Sequence, residues 1–263
     1  MPHKPRPPLQ ALIDSFVMQS GGELVSDLID NRNPPSNADY FFRAHCAIIE
    51  LKTLETGTFG GSYKRKLGEL VADWQARKLI EIYGTNVPLR LNDLPPECQD
   101  EWNALSSRSM QSKVFAKANE QIGETKRLLG TAGAKGVLLL ASDGNEDLQP
   151  SNVWFLANRI LSKKHAVGSP QYSHINGVAY FTPRMPVWVP HLRQRVFIWA
   201  DEVRRDDPAL ASFLKGLASA WYEFQVKQTG VPIQRFAGES FSAVRDATFS
   251  GPRIPIIDVN HRK

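Results

Sequence analysis

Apolar residues recur every three or four positions in several separate stretches of the chain, with polar residues between them. This period places the apolar side chains on one face of a helix and therefore predicts amphipathic helices. The predicted helices cover residues 9–17, 23–29, 66–83, 102–110, 114–129, 151–161 and 208–227. Ser151 is a residue type that favours the N-cap position, so it marks the expected beginning of the sixth of these helices.

Other stretches are rich in aromatic and β-branched residues, which predicts strands. The expected strands lie at residues 39–43, 46–52 and 136–141, and within "INGVAYFTP" and "RVFIWADE". Segments such as "NRNPPSN" separate these elements as loops. The order of helices and strands predicts an α/β fold, in which helices flank both faces of a mixed central β-sheet.

The chain has 263 residues, 42% of them hydrophobic, which is enough for a sizeable core. We expect a single domain over residues 1–263, with a flexible, basic and proline-rich arm at residues 1–7. The region from about residue 56 to residue 110 is expected to be an insertion between the first strand pair and the following helix.

Composition and charge narrow the function only a little. A net charge of +5 suits a polyanionic partner but does not require one. Cys46 and Cys98 form no C-x-x-C pair, which argues against a zinc ribbon or a disulfide framework and is typical of a reducing compartment. The basic first residues lead into no apolar run, and the longest apolar run, at 136–141, is too short for a bilayer. We therefore expect a cytoplasmic protein without a membrane partner.

Two carboxylates stand at the ends of the first two predicted strands. If the turn is centred between Ala44 and His45, Asp39 lies directly opposite Glu50, with about 4.5–5.5 Å between their Cβ atoms. Lys52 follows Glu50 by two positions and so points to the same face of the sheet. Opposed like charges destabilise a strand pair, and a divalent cation between them removes the repulsion.

This arrangement suits the hydrolysis of a phosphodiester. Mg²⁺ is commonly held by one or two carboxylates together with water and phosphate oxygens, and it acidifies a bound water. Lys52 would add a positive charge beside the phosphate. The alternative is structural, with Glu50 and Lys52 as an ordinary solvated charge pair and Asp39 at the end of a loop.

The segment "DYFF" followed by "AIIELK" resembles the core motif of the PD-(D/E)XK nuclease superfamily. The resemblance implies a restriction-endonuclease-like fold and a Mg²⁺ ion, for which Mn²⁺ can substitute. It implies Asp39, Glu50 and the backbone carbonyl of Leu51 as metal ligands. It also implies Lys52 as the residue that orients or activates water. Ala38 departs from the family pattern, which usually has proline immediately before the aspartate.

The helices on either side of the motif offer further candidates by the same resemblance. Some members carry a glutamate on the preceding helix, where Glu23 or Asp27 could serve as an additional metal ligand. Others carry glutamine or lysine on the following helix, where Gln121 is a candidate catalytic residue and Lys117 lies one turn earlier. Thr125 stands where one subgroup has tyrosine in a Q-x-x-x-Y pattern, which argues against that subgroup.

The glycine-rich stretch "GGSYKRK" follows the motif and carries three cations in a predicted loop. It lacks the spacing of a phosphate-binding P-loop. The candidates for contact with a nucleic-acid backbone are Lys64, Arg65, Lys66 and Lys117. Tyr63 is a candidate for stacking on a base. The alternative for this stretch is a flexible, solvated loop.

Together these patterns predict a Mg²⁺-dependent nuclease with DNA as the expected substrate. Two alternatives stay open, which are a nuclease fold that binds nucleic acid without cleaving it and an assembly protein in which the hairpin charges are structural. Because many such nucleases act in pairs, a homodimer is also open. The apolar stripe of the last predicted helix, at 208–227, would then form either a dimer face or part of the core.

Overall fold

The computed structural model describes residues 8–29, 36–54, 61–82, 89, 91–145, 148–230 and 247–249. The arm expected at residues 1–7 lies outside these ranges. The helices are α1 (Leu9–Gln19), α2 (Val25–Leu28), α3 (Gly61–Ala76), α4 (Pro96–Met110), α5 (Ala116–Leu128), α6 (Pro150–Leu161) and α7 (Pro208–Thr229). The strands are β1 (Glu23–Leu24), β2 (Tyr40–Phe42), β3 (Ala47–Thr53), β4 (Lys135–Ala141), β5 (Gly177–Phe181), β6 (Val187–Val189), β7 (Gln194–Val196) and β8 (Trp199–Val203).

Six of these strands form one mixed sheet in the order β1-β2-β3-β4-β5-β8, and β6 pairs with β7 separately. The pairs β3–β4 and β4–β5 are parallel, while the other neighbours in the sheet are antiparallel. The central strand β4 is buried along nearly its whole length, which is typical of a parallel strand covered on two faces. The predicted α/β fold with a mixed central sheet is therefore confirmed.

Helices cover both faces of the sheet, as predicted. On one face, α5 and α6 pack over side chains that include Ile48, Leu138 and Tyr180. On the other face, α1 and α7 pack over the alternate side chains, such as Ile49 and Leu139. Because side chains alternate along a strand, the positions of β3 that share a face with Ile48 point toward α5.

The apolar stripe of α7 belongs to the second of these cores. Trp221 packs edge-on against Phe16 of α1, with 4.9 Å between the ring centroids, and Leu217 and Phe224 are buried beside them. Of the two uses expected for this helix, a place in the core is confirmed. No helix in the described ranges is long and apolar enough to cross a membrane.

Several predicted helices have boundaries that differ from the structure. The helix predicted over 66–83 runs over Gly61–Ala76, and the one predicted over 102–110 begins at Pro96. The helix expected to begin at Glu23 is shorter, because Glu23 and Leu24 pair with β2 as an edge strand and helix begins only at Val25. Pairing with a neighbouring strand outweighs local helix propensity here. The helix expected to begin at Ser151 begins at Pro150, since proline suits a first helical position, where its missing N–H leaves no bond unmade.

The expected insertion contains α3 and α4, which pack against each other. Trp74 and Trp102 stack with their ring centroids 6.3 Å apart, and Leu94 and Cys98 complete a small apolar cluster. A turn of π-helix at Gln111–Phe115 joins α4 directly to α5. The helices predicted at 102–110 and 114–129 are therefore one continuous helix, which connects the insertion to the central sheet.

Gly136 in β4 permits a close approach that a larger residue would block. A Cβ atom at this position would lie 2.0 Å from the backbone oxygen of His174 and 2.6 Å from Cγ2 of Ile122. We expect Gly136→Ala to lower the free energy of unfolding by about 3 kcal/mol, because a clash with backbone is not relieved by rotating a side chain. Chemical denaturation measures the change. Gly133→Ala is the control, since nothing lies within 4 Å of an added Cβ there, and equal stability of the two variants would contradict this account.

Candidate metal and catalytic site

The hairpin of β2 and β3 has the register that the sequence predicts. Tyr40 pairs with Ile49, and the next step of the same register sets Asp39 opposite Glu50. A turn of 3-10 helix joins the strands, and Cys46 closes it in the left-handed conformation with φ of 46°. The turn thus fixes which side chains meet at the far end of the hairpin.

A buried carboxylate lies within β3. Glu50 is 1% exposed, and its Oε1 atom accepts a hydrogen bond from Nζ of Lys52 at 2.5 Å. Its Oε2 atom is buried and accepts from no N–H or hydroxyl group among the described residues, while the Asp39 carboxyl lies within hydrogen-bonding reach of Glu50. Burial first, and then the negative charge of Asp39, raise the pKa of Glu50 to about 8, while Lys52 opposes the rise. Such an oxygen is unfavourable in the core unless a cation or a proton binds it.

Asp39 is held in place by backbone groups of its neighbours. Its Oδ2 atom accepts a hydrogen bond from the N–H of Leu51 at 2.8 Å. Its own N–H donates to the carbonyl of Ile49 at 3.2 Å, and its carbonyl accepts from the N–H of Val25 at 2.9 Å. Burial raises the pKa of Asp39, and the hydrogen bond from Leu51 opposes this rise. These contacts keep the carboxylate at the end of the hairpin that carries Glu50.

Lys52 connects β3 to α5. Besides its ion pair within β3, its ammonium donates to Oε1 of Gln121 at 2.7 Å, and the Gln121 amide donates to the carbonyl of Asn37 at 2.9 Å. One turn further along α5, Oγ1 of Thr125 accepts from the N–H of Ala38 at 2.8 Å. Gln121 is therefore brought to the three residues of the motif, as predicted, while Thr125 fixes α5 to the segment before β2.

An open groove of about 1040 Å³ lies against Asp39 and Gln121. Two further carboxylates line it, from Asp14 on α1 and Asp27 on α2. The hydroxyl of Tyr40 donates to Asp14 at 2.8 Å, which holds that carboxylate toward the hairpin. Asp14 was not predicted, because the helical pattern of α1 does not show where its polar face meets the sheet. The groove gives water access to Asp39, while Glu50 and Lys52 are not part of its lining.

Glu23 does not reach this site, and its expected role as a metal ligand is corrected. Both of its carboxylate oxygens accept hydrogen bonds from the guanidinium of Arg43 at 3.0 Å, beside the turn of the hairpin. The reason is that Glu23 lies on an edge strand rather than on a helix, opposite Phe41 and nearer the turn than Asp39. Asp27, the other candidate, lines the groove instead.

The candidates for nucleic-acid contact differ in their exposure. Tyr63 is buried, with its hydroxyl 2.9 Å from Oγ of Ser106, so its expected role in stacking on a base is wrong. Residues 61–66 of the "GGSYKRK" stretch, expected as a loop, form the first turns of α3 because Tyr63 anchors them to α4. The exposed candidates are Lys64, Arg65 and Lys66 on α3 and Lys117 on α5.

The donor set fits a divalent cation that needs few protein ligands. In the part of the chain that the structure describes, no group of three or more His, Cys, Asp or Glu side chains is placed to hold a metal ion. Mg²⁺ does not require such a group, because one or two carboxylates suffice when water and phosphate complete its coordination. The unpartnered Oε2 of Glu50 and the carboxylate of Asp39 meet this requirement. The carbonyl of Leu51 as a third ligand stays a prediction.

Comparison of this chain with protein-family models, with curated proteins and with solved structures finds no match.

Proposed function

We propose that this protein is a Mg²⁺-dependent nuclease with a restriction-endonuclease-like fold and that DNA is its substrate. The observation that carries the proposal is the buried carboxylate of Glu50, which has one unpartnered oxygen, lies opposite Asp39 and contacts Lys52. The alternative of a solvated charge pair does not agree with a glutamate that is 1% exposed. Two opposed carboxylates, of which Asp39 lines the groove, instead suit a cation that brings a phosphate with it.

The metal ligands in this proposal are Asp39, Glu50 and the backbone carbonyl of Leu51. When bound, Mg²⁺ or Mn²⁺ would lower the pKa of a coordinated water and neutralise charge on the phosphate oxygens. The chain itself fixes the positions of the protein oxygens that would bind the metal. The N–H of Leu51 orients the Asp39 carboxylate, and the rigid central strand β3 presents Glu50.

Lys52 is the catalytic residue that this chain supplies beside the metal ligands. Its ammonium is on the same face of β3 as Glu50, where it can orient the attacking water and stabilise negative charge that develops on the phosphate. Gln121 is a positioning residue. It fixes the ammonium through a bond of 2.7 Å and is itself fixed by the carbonyl of Asn37, so that Lys52 does not have to find its position during the reaction.

The test is incubation of the purified protein with supercoiled plasmid, linear duplex and single-stranded DNA, each in Mg²⁺, in Mn²⁺ and in EDTA. We expect cleavage with either metal and none in EDTA. Asp39→Ala is expected to be inactive in every condition, because it removes a metal ligand, and RNA of matched sequence tests the preference for DNA. Cleavage by Asp39→Ala at the wild-type rate would overturn the assignment. Salt-sensitive binding of DNA without cleavage in any metal would instead support a nuclease fold that only binds.

A further inference from the structure

A second concave surface lies outside the metal site, between α3 and α4. This α3–α4 cleft has a volume of about 750 Å³ and also borders the π-helical turn that leads into α5. The residues that line it include three cationic side chains, three serine hydroxyl groups and several apolar side chains. The cations and hydroxyls are Lys66, Arg108, Lys113, Ser62, Ser109 and Ser112.

The acidic side chains of the cleft are paired with arginines. Glu69 is paired with Arg65, with 2.5 Å between Oε1 and Nη1. Asp73 and Glu101 are both paired with Arg77, each with 2.9 Å between nitrogen and oxygen, and Arg77 also pairs with Glu97 at 2.7 Å. Because one arginine serves three carboxylates, these ion pairs offset part of the negative charge at the cleft.

Two cations of the cleft have no such carboxylate partner. Lys66 and Arg108 are exposed and have no carboxylate within ion-pair distance in the described ranges, and Arg108 donates only a weak hydrogen bond of 3.3 Å to the carbonyl of Ala104. The ammonium of Lys66 and the guanidinium of Arg108 are therefore open to an anion that can use both groups together.

The cleft and the metal site are connected along one helix. Lys113 lines the cleft and lies eight residues before Gln121, which corresponds to about 12 Å along a helix axis. Lys117 lies between them at four-residue spacing and is exposed. Residues four apart share a helix face, so the cationic surface continues from the cleft toward the carboxylate pair.

We infer that the α3–α4 cleft binds the phosphodiester backbone of the nucleic-acid strand, several nucleotides from the phosphate that is cut. The inference rests on the proposed function, because it takes the strand at Glu50 to be the same strand. Arg108 offers a planar fork of donors to the phosphate oxygens, and Lys66 adds a point charge. These contacts would hold any sequence, since phosphate contacts position a protein on nucleic acid without reading bases.

The test compares the salt dependence of binding in three proteins. Wild type, Lys66→Gln/Arg108→Gln and the control Lys215→Gln/Lys227→Gln are titrated into labelled duplex and single-stranded DNA in EDTA, at salt concentrations from about 50 to 200 mM. The control removes two exposed cations from α7, on the opposite face of the sheet. Each phosphate contact contributes about 0.7–0.9 to the slope of log affinity against log salt, so loss of two contacts should lower the slope by about 1.4–1.8.

Over that fourfold rise in salt, wild type should therefore lose about tenfold more affinity than the cleft variant, and the control should behave as wild type. If the slope is unchanged in Lys66→Gln/Arg108→Gln while the wild type cleaves DNA, the strand does not bind at the cleft. That outcome would not contradict the proposed nuclease activity. A wild type that neither binds nor cleaves nucleic acid would overturn both. Because the changed residues are exposed, an unaltered thermal unfolding temperature verifies that each variant is folded.

Discussion

Lys52→Met is expected to lower the rate of DNA cleavage by about 10³-fold with little change in thermal unfolding temperature. Methionine fills nearly the same space but donates no hydrogen bond, so the ammonium is lost while packing against α5 is kept. The fold should tolerate the change because Glu50, without its partner, can take up a proton. Single-turnover cleavage at saturating Mg²⁺ measures the effect on the chemical step.

Lys215→Met is the matched control for this variant. Lys215 is exposed on α7, on the opposite face of the sheet, and is not a candidate for nucleic-acid contact. Its replacement should leave the single-turnover rate close to that of wild type. If Lys52→Met retained more than about a tenth of the wild-type rate, the ammonium would not act on the reacting atoms, and Lys52 would be a structural partner of Glu50.

Most substitutions in a protein core lower the free energy of unfolding. Glu50→Gln is instead expected to raise it for the metal-free protein at alkaline pH. In the folded protein the pKa of Glu50 is raised to about 8 from an ordinary value of 4.5. The folded state therefore holds the proton more tightly than the unfolded state. The resulting stabilisation is fully present below about pH 4.5 and is lost as the pH rises through about 8.

Glutamine does not titrate, so the stability of the variant does not fall in this way as the pH rises. The free energy of unfolding of the variant minus that of wild type should rise by about 1.4 kcal/mol per pH unit between pH 4.5 and pH 8, in EDTA. Urea denaturation at a series of pH values measures the difference. A difference that is constant across this window would show that Glu50 is ionised throughout and that its buried charge is already compensated.

The same pair of proteins separates metal binding from electrostatics. Mg²⁺ at a hundred times its dissociation constant should stabilise wild type by about 2.7 kcal/mol, because it binds the folded state alone. Glu50→Gln should show little of this stabilisation, since the amide is a poor ligand in place of a carboxylate. Equal stabilisation of both proteins by Mg²⁺ would mean that the ion binds elsewhere.

The hairpin and its chemistry could be predicted because the information is local in the sequence. Asp39 and Glu50 are equidistant from the turn, so a single assumption about its centre fixes their pairing, and the period of two in a strand fixes Lys52. The mixed sheet with helices on both faces followed from the order of the elements. Gln121 followed only from the resemblance, since its approach to Lys52 spans 69 positions of the chain.

The errors have physical causes that no local pattern reveals. Glu23 lies in a strand of two residues, which exists only because β2 offers it an edge to pair with. Tyr63 stands in a glycine-rich, basic stretch that looks solvated, yet its ring fills space between α3 and α4. The α3–α4 cleft could not be predicted either, because its charge depends on which carboxylates pair with arginines. The pair of Arg77 and Glu101 depends on the packing of α3 against α4, where Trp74 stacks on Trp102.

The helix formed by α4, the π-helical turn and α5 contains 33 residues and is about 50 Å long. Arg108 and Gln121 lie 13 residues apart on this helix, which corresponds to about 20 Å along its axis. If both proposals hold, the distance from the held phosphates to the cut phosphate is a constant of the molecule. The protein would then measure length along its substrate, and a strand shorter than this interval would be cut more slowly, whatever its sequence.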